Sequence, residues 1–137
     1  MTDAELRTAF ESCTLPRALW NHRAHVRMAY LYAAQYPYHA ALSRMRQSIQ
    51  DYNRSQQIPD APDRGYHETI TVAFMRLVCT ELVRSGPFPS SDAFCDCHPE
   101  FLDKSLLLKF YSKNRIMSEE AKRSFVEPDL AELFLEQ

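Results

Sequence analysis

The chain has 137 residues, 45% hydrophobic and 25% charged, which suffices for one buried core and argues against a disordered tail or a rod. The formal net charge is −2, with ten arginines against eight acids over residues 1–84 and six basic residues against ten acids over 85–137. No dense cationic stripe of the kind that nucleic-acid binders carry is present, and two glycines, Gly65 and Gly86, exclude glycine-rich phosphate loops.

The longest apolar run, Met28 to Ala34, is seven residues, against the roughly 18 of a membrane-spanning helix. Met1 to Phe10 carries two acids and no apolar signal core, so the expectation is a reducing, cytoplasmic setting with no membrane or nucleic-acid partner.

Helical periodicity runs through the chain, and the expected fold class is all-α: a compact bundle of about four main helices with shorter C-terminal ones, over residues 1–137 as a single domain. Thr2 and Glu5 have the spacing of a capping box and open a first helix to about Glu11, with Leu6 and Phe10 inward. Asn21 stands as N-cap of a second helix, His22 to Gln35, in which His22, His25, Val26, Ala29 and Ala33 share one stripe. After Pro37, the residues Tyr38, Leu42, Met45, Ile49 and Tyr52 repeat at helical spacing, with Arg44, Gln47 and Asp51 on the solvated side.

A polar loop follows from Arg54 to Arg64, ended by Gly65. The fourth helix is predicted from about Tyr66 to Arg84, with Ile70, Phe74, Leu77 and either Val78 or Glu81 as its inner face and His67 on the same side in the first turn. Ser90 and Ser91 cap a short helix beyond Gly86 and the prolines; Pro99 begins another through Tyr111; Ser118 caps a last one to about Phe125, and Pro128 leads into a tail.

The constellation that can carry chemistry is His22-x-x-His25 with His67-Glu68. Histidines three apart are neighbours on a helix surface, and a third imidazole from another helix would complete a facial set with open positions for water or substrate. The expectation is a small metal-dependent enzyme holding one divalent ion, Zn, Cu, Fe or Ni, on His22, His25 and His67, acting on a small molecule by hydrolytic or oxygen chemistry. Glu68 would serve as base or extra ligand, unless it only complements the helix dipole. Tyr66, Thr69, Thr71 and Tyr111 would form the polar wall, with Tyr66 and Thr71 closest to the chemistry.

The alternative is a non-catalytic helical interaction module whose histidines are structural, satisfied by hydroxyls or carbonyls. A metal-free acid/base site built on His67 and Glu68 is a third reading. Cys95-Asp96-Cys97-His98 lacks the second pair that a structural zinc site needs, so it and Cys79 read as reduced thiols, and His39 as exposed.

Five segments taken together, Trp20-Asn21-His22-Arg23-Ala24-His25, Gly65-Tyr66-His67-Glu68-Thr69-Ile70-Thr71, Asp103-Lys104-Ser105-Leu106-Leu107-Leu108, Tyr111-Ser112 and Val126-Glu127-Pro128-Asp129-Leu130, resemble in order a family of small uncharacterised proteins. The resemblance spans nearly the whole chain and implies one small protein with a shared histidine pocket. It brings no activity with it, and Cys95-x-Cys97-His98 departs from its pattern.

Overall fold

The computed structural model describes residues 1–133, and among these there are helices and no strands. Helix α1 (Asp3–Glu11) opens on the capping box: the Thr2 hydroxyl accepts from the Glu5 N–H and the Glu5 carboxylate accepts from the Thr2 N–H. Its apolar stripe, Leu6 and Phe10, is fully buried. A 3₁₀ turn (Arg17–Leu19) leads to α2 (His22–Gln35), whose cap is the Asn21 side chain accepting from the Ala24 N–H at 2.9 Å. Helix α3 (Tyr38–Ser55) follows Pro37 directly and buries Leu42, Met45, Ile49 and Tyr52, as its spacing requires.

Gln57, in the left-handed region (φ 56°), ends α3, and the Ile58 N–H returns to the Asn53 carbonyl. The loop to Gly65 closes through the paired backbones of Ala61 and Arg64. Gly65 sits at φ +91°, and a β-carbon there would lie 3.0 Å from both the Asp60 Cα and the Pro59 carbonyl, so this turn requires glycine.

Helix α4 (Glu68–Ser85) packs at once on α2, α3 and the late helix α7 (Glu119–Arg123). This central place alters the face expected from sequence. The fully buried positions include Thr69, Val72, Ala73, Met75 and Val78, whereas Ile70, Phe74 and Leu77 are partly exposed. Phe74 and Leu77 lie on the seam between two hydrophobic clusters, a larger one formed with α1–α3 and residues such as Phe94 and Cys95, and a smaller one around Leu107, Tyr111, Ile116 and Val126. A helix walled on more than one side has no single inward stripe, so periodicity marked its cavity-facing row instead of its deepest one.

Beyond α4, helix α5 (Ser91–Cys97) is capped by Ser90, and α6 (Lys113–Ile116) and α7 (Glu119–Arg123) are short, the latter capped by Ser118. The helix expected from Pro99 through Tyr111 is broken into two 3₁₀ turns, Pro99–Leu102 and Leu106–Lys109. Asp103 causes the break: its carboxylate accepts from both the backbone N–H and the hydroxyl of Ser105, an Asx turn that competes with the helix.

The buried tyrosines fill the core and end on polar partners. Tyr30 donates to the Phe88 carbonyl, Tyr32 to Glu11, Tyr52 to the Leu15 carbonyl and Tyr111 to the Val126 carbonyl, each at 2.7–3.0 Å. Each hydroxyl thus ties two segments distant in sequence while its ring contributes apolar burial. Cys79 and Cys95 are buried thiols, Cys97 is exposed, and His39 is exposed as expected. No helix among the described residues is long and apolar enough to cross a membrane.

Candidate functional site

Two of the three expected ligands enter from the first turn of α2. The His22 Nε2–H donates to the Phe101 carbonyl at 2.8 Å, since a carbonyl can only accept. The ring meets Phe74 edge-on, with centroids 5.5 Å apart. His25 lies flat on Trp20, with ring centroids 3.8 Å apart. Burial, with a smaller contribution from neighbouring His22, pushes its imidazole down to about 3, so it is neutral across the physiological range.

His67 is placed differently from expectation. It is the N-cap of α4, in extended backbone (φ −130°, ψ 111°), not a residue of the first turn. Its Nδ1 accepts from the Ile70 N–H at 3.1 Å, and its Nε2–H donates to the Ile116 carbonyl at 2.9 Å. Both nitrogens are spent, and the ring bolts the start of α4 to the end of α6. Burial lowers its proton affinity.

The spacing therefore brings His22 and His25 together but does not turn His67 toward them. Among the described residues, the set of three or more His, Cys, Asp or Glu donors close enough to hold one ion is Glu81, His98 and Glu100. There the two imidazole nitrogens face different carboxylates, Nε2 lying 3.8 Å from Glu81 and Nδ1 3.2 Å from Glu100. Ser85 donates to Glu81 at 2.7 Å, and the group reads as a polar clasp between α4 and the turn after α5.

Glu68 is likewise engaged. Arg46 of α3 grips it with two hydrogen bonds (3.0 and 2.7 Å), and the Tyr66 hydroxyl donates to it at 2.5 Å. Burial alone would raise the Glu68 carboxyl, but the bonds from Arg46 and Tyr66 outweigh it and hold it below the ordinary value. Tyr66 is pushed up by burial and by the adjacent Glu68 carboxylate. A carboxylate with three donors and a phenol that keeps its proton form a fixed dipolar wall, not a free base.

The remaining expected residues divide. Thr71 lines the cavities, although its hydroxyl donates back to the His67 carbonyl at 2.9 Å. Thr69 donates to the Ser124 carbonyl and accepts from the Val126 N–H, and Tyr111 sits in the smaller core cluster. These two hold the C-terminal segment onto α4 and do not line the cavities beside His25.

The concave surface lies between α3, α4 and α7. A cleft of about 700 Å³ is walled by Arg46, Asn53, Arg54, Tyr66, Glu68, Lys122 and Arg123, with Asp60 at its edge. Asn53, Ile58, Gly65 and Tyr66 also line a pocket of about 300 Å³ that reaches Trp20, His25 and His67. Behind it, a cavity of about 80 Å³ is bounded by His22, His25 and Thr71 among apolar side chains that include Met45, Ile49 and Met75.

His25 borders both inner spaces and makes no side-chain hydrogen bond to the described residues, yet none of its polar atoms is sealed from the surface. Lys122 stands at the rim, its ammonium shared between the Asp60 carboxylate (2.7 Å) and the Tyr66 carbonyl (2.6 Å).

A division of α3 into one apolar and one solvated face hides the cationic wall. Arg46, Gln50 and Asn53 in fact repeat at spacings of four and three beside the apolar stripe, a polar row that marks a cleft edge. Comparison of the chain with protein-family models, with curated proteins and with solved structures finds no match.

Proposed function

We propose that the chain binds a small organic anion, its charged group in the cationic cleft and its flat or apolar body in the inner pocket against Trp20 and His25. The observation that carries this reading is His25: a neutral imidazole with no hydrogen-bond partner among the described residues, at the wall of two adjoining concavities, is a hydrogen-bonding group left for something else. The outer cleft supplies the charge preference, with four cationic side chains against Asp60 and Glu68.

Two of those cations are easily recruited. Arg54 and Arg123 are paired on their own helices, to Asp51 and Glu119, in solvent-exposed contacts of little worth. The inner pocket adds Trp20, Ile49, Ile58 and Ile70, which suit an apolar body. We place the protein in the reducing cytoplasm, in keeping with four unpaired thiols.

This reading replaces the histidine-metal enzyme expected from spacing, because His67 would have to release either the Ile70 N–H or the Ile116 carbonyl before it met an ion. It keeps the small-molecule ligand of that expectation and leaves the structural role of the alternative module to His22 and His67.

The test uses phenyl phosphate as probe and the single tryptophan, Trp20, as reporter. Saturable quenching is expected, with a rise in melting temperature of about 5–10 °C near one hundred times Kd. Arg54→Glu with Arg123→Glu should weaken binding about tenfold, a loss of roughly 1.4 kcal/mol, and His25→Phe should weaken it while preserving the ring stack. An unchanged response in both variants, or an equal response to phenyltrimethylammonium, would sink the reading.

A further inference from the structure

Across Ile70 from the inner pocket, a second concavity of about 400 Å³ lies between α4, the 3₁₀ turn Leu106–Lys109 and α6. Its volume is within the range of roughly 300–1,000 Å³ usual for small-molecule sites. Its floor is apolar, made by Ile70, Phe74, Leu107 and Ile116, and His22 closes one end. The His22 ring turns its only N–H to the Phe101 carbonyl, so it offers the groove no donor while neutral.

The rim carries two exposed lysines, Lys104 and Lys113, and neither forms an ion pair with a described residue. The acids beside them are turned elsewhere: Asp103 accepts from the N–H and hydroxyl of Ser105, and Asp129 from the N–H and hydroxyl of Ser112. Leu108 and Met117 stand at the same rim, 44% and 58% exposed, large apolar side chains left in water. An apolar trough with two unneutralised ammonium groups at its edge is complementary to one kind of molecule: a chain of methylenes ending in a carboxylate.

We propose that this groove binds a medium-chain aliphatic carboxylate, its alkyl chain along Ile70, Phe74, Leu107 and Ile116 and its carboxylate between Lys104 and Lys113. The groove shares Ile70 with the inner pocket, but its charged rim lies outside the cationic cleft and the proposal does not depend on the reading of that cleft. Charge selects the head group and burial of methylenes supplies the affinity. Each pair of carbons removed from the ligand should weaken binding roughly tenfold, and a cationic head group should be refused.

Decanoate is the probe, followed by calorimetry and by the methyl signals of Met117 and Leu108 in the full chain. Saturable binding below the micelle-forming concentration is expected, with hexanoate roughly a hundredfold weaker and decyltrimethylammonium not bound. Lys104→Glu with Lys113→Glu should weaken decanoate at least tenfold and admit decyltrimethylammonium. Both positions are exposed, so folding is preserved and checked by the far-ultraviolet spectrum.

Absence of saturation, equal binding of the two head groups, or indifference to the charge reversal overturns the proposal. So does binding that perturbs Trp20 and His25 but not Leu108, which would put the ligand in the cleft, or binding to anionic vesicles with none to decanoate, which would make the patch a membrane contact. Failure of the phenyl phosphate experiment leaves this result untouched, because the reporters and variants are different.

Discussion

The imidazole of His25 and the indole of Trp20 lie stacked, with centroids 3.8 Å apart and planes inclined by 28°. Phe10 continues the pile on the indole, at 4.2 Å and 19°. Three rings, from α1, from the residue after the 3₁₀ turn and from α2, thus form one column whose last member borders the inner pocket. The column fixes the plane of the imidazole without using either nitrogen, and ring orientation is set by packing alone.

Acid should destabilise the fold through that imidazole. The native protein holds His25 neutral down to about pH 3, whereas the unfolded chain takes up the proton near 6.5, so the unfolded state binds more protons between these values. Stability is complete above about 6.5 and falls as pH is lowered toward 3, by at most ~1.4 kcal/mol per pH unit from this group. His67, also lowered, adds in the same direction. Urea midpoints measured from pH 7.5 to 4 should decline less steeply in His25→Phe than in the wild type; parallel declines would refute the assignment.

The N-terminus is held by a second polar assembly. The Asp3 carboxylate accepts from the Ser91 N–H (3.0 Å), the Ser91 hydroxyl (2.5 Å) and Arg27 (3.2 Å), while Arg27 also donates to the Met1 carbonyl. Burial raises the Asp3 carboxyl, but the bonds from Ser91 and Arg27 prevail and leave it lowered. Its contribution is present above the ordinary aspartate value and is lost as pH falls through the lowered one. Asp3→Asn should cost about 1–3 kcal/mol by leaving the buried Arg27 short of a partner. Chemical denaturation reads the loss, and a neutral effect would show that the assembly only orders the terminus.

His67 provides a direct comparison of bolt and ligand. His67→Ala should cost about 1–3 kcal/mol through the lost cap and the orphaned Ile116 carbonyl, and His67→Asn should recover the cap portion, about 1 kcal/mol. Zinc content of untagged protein, by mass spectrometry, should be far below one per chain and the same in both variants. Stoichiometric zinc that disappears with His67 would restore the three-histidine centre.

Gly65→Ala should destabilise by about 1–2 kcal/mol, because the turn needs φ +91° and a β-carbon would press on the Asp60 backbone and the Pro59 carbonyl. Gly65 lines both the cleft and the inner pocket, so phenyl phosphate binding should weaken in the same variant. A stable Gly65→Ala protein with unaltered Trp20 quenching would separate this turn from the site.

Local chemistry made the helix starts legible: Thr2 with Glu5, Asn21, Ser90 and Ser118 all cap where their side chains predict. Apolar spacing correctly placed Leu42, Met45, Ile49 and Tyr52 inward. The site was half legible. The pairing of His22 with His25 follows from one helical turn, but the direction of His67 depended on the Ile116 carbonyl, 49 residues away, and no spacing rule reports such a partner. Glu68 was placed in the first turn of α4 as expected, yet its grip by Arg46 depends on how α3 crosses α4, which only packing decides.

Ile70 touches the inner pocket, the small cavity and the lysine-rimmed groove, one side chain serving as partition for three compartments. The inner pocket and the groove are thus divided by the thickness of one side chain. If a guest on one side displaces it, whatever factor that guest imposes on a second must be returned in equal measure.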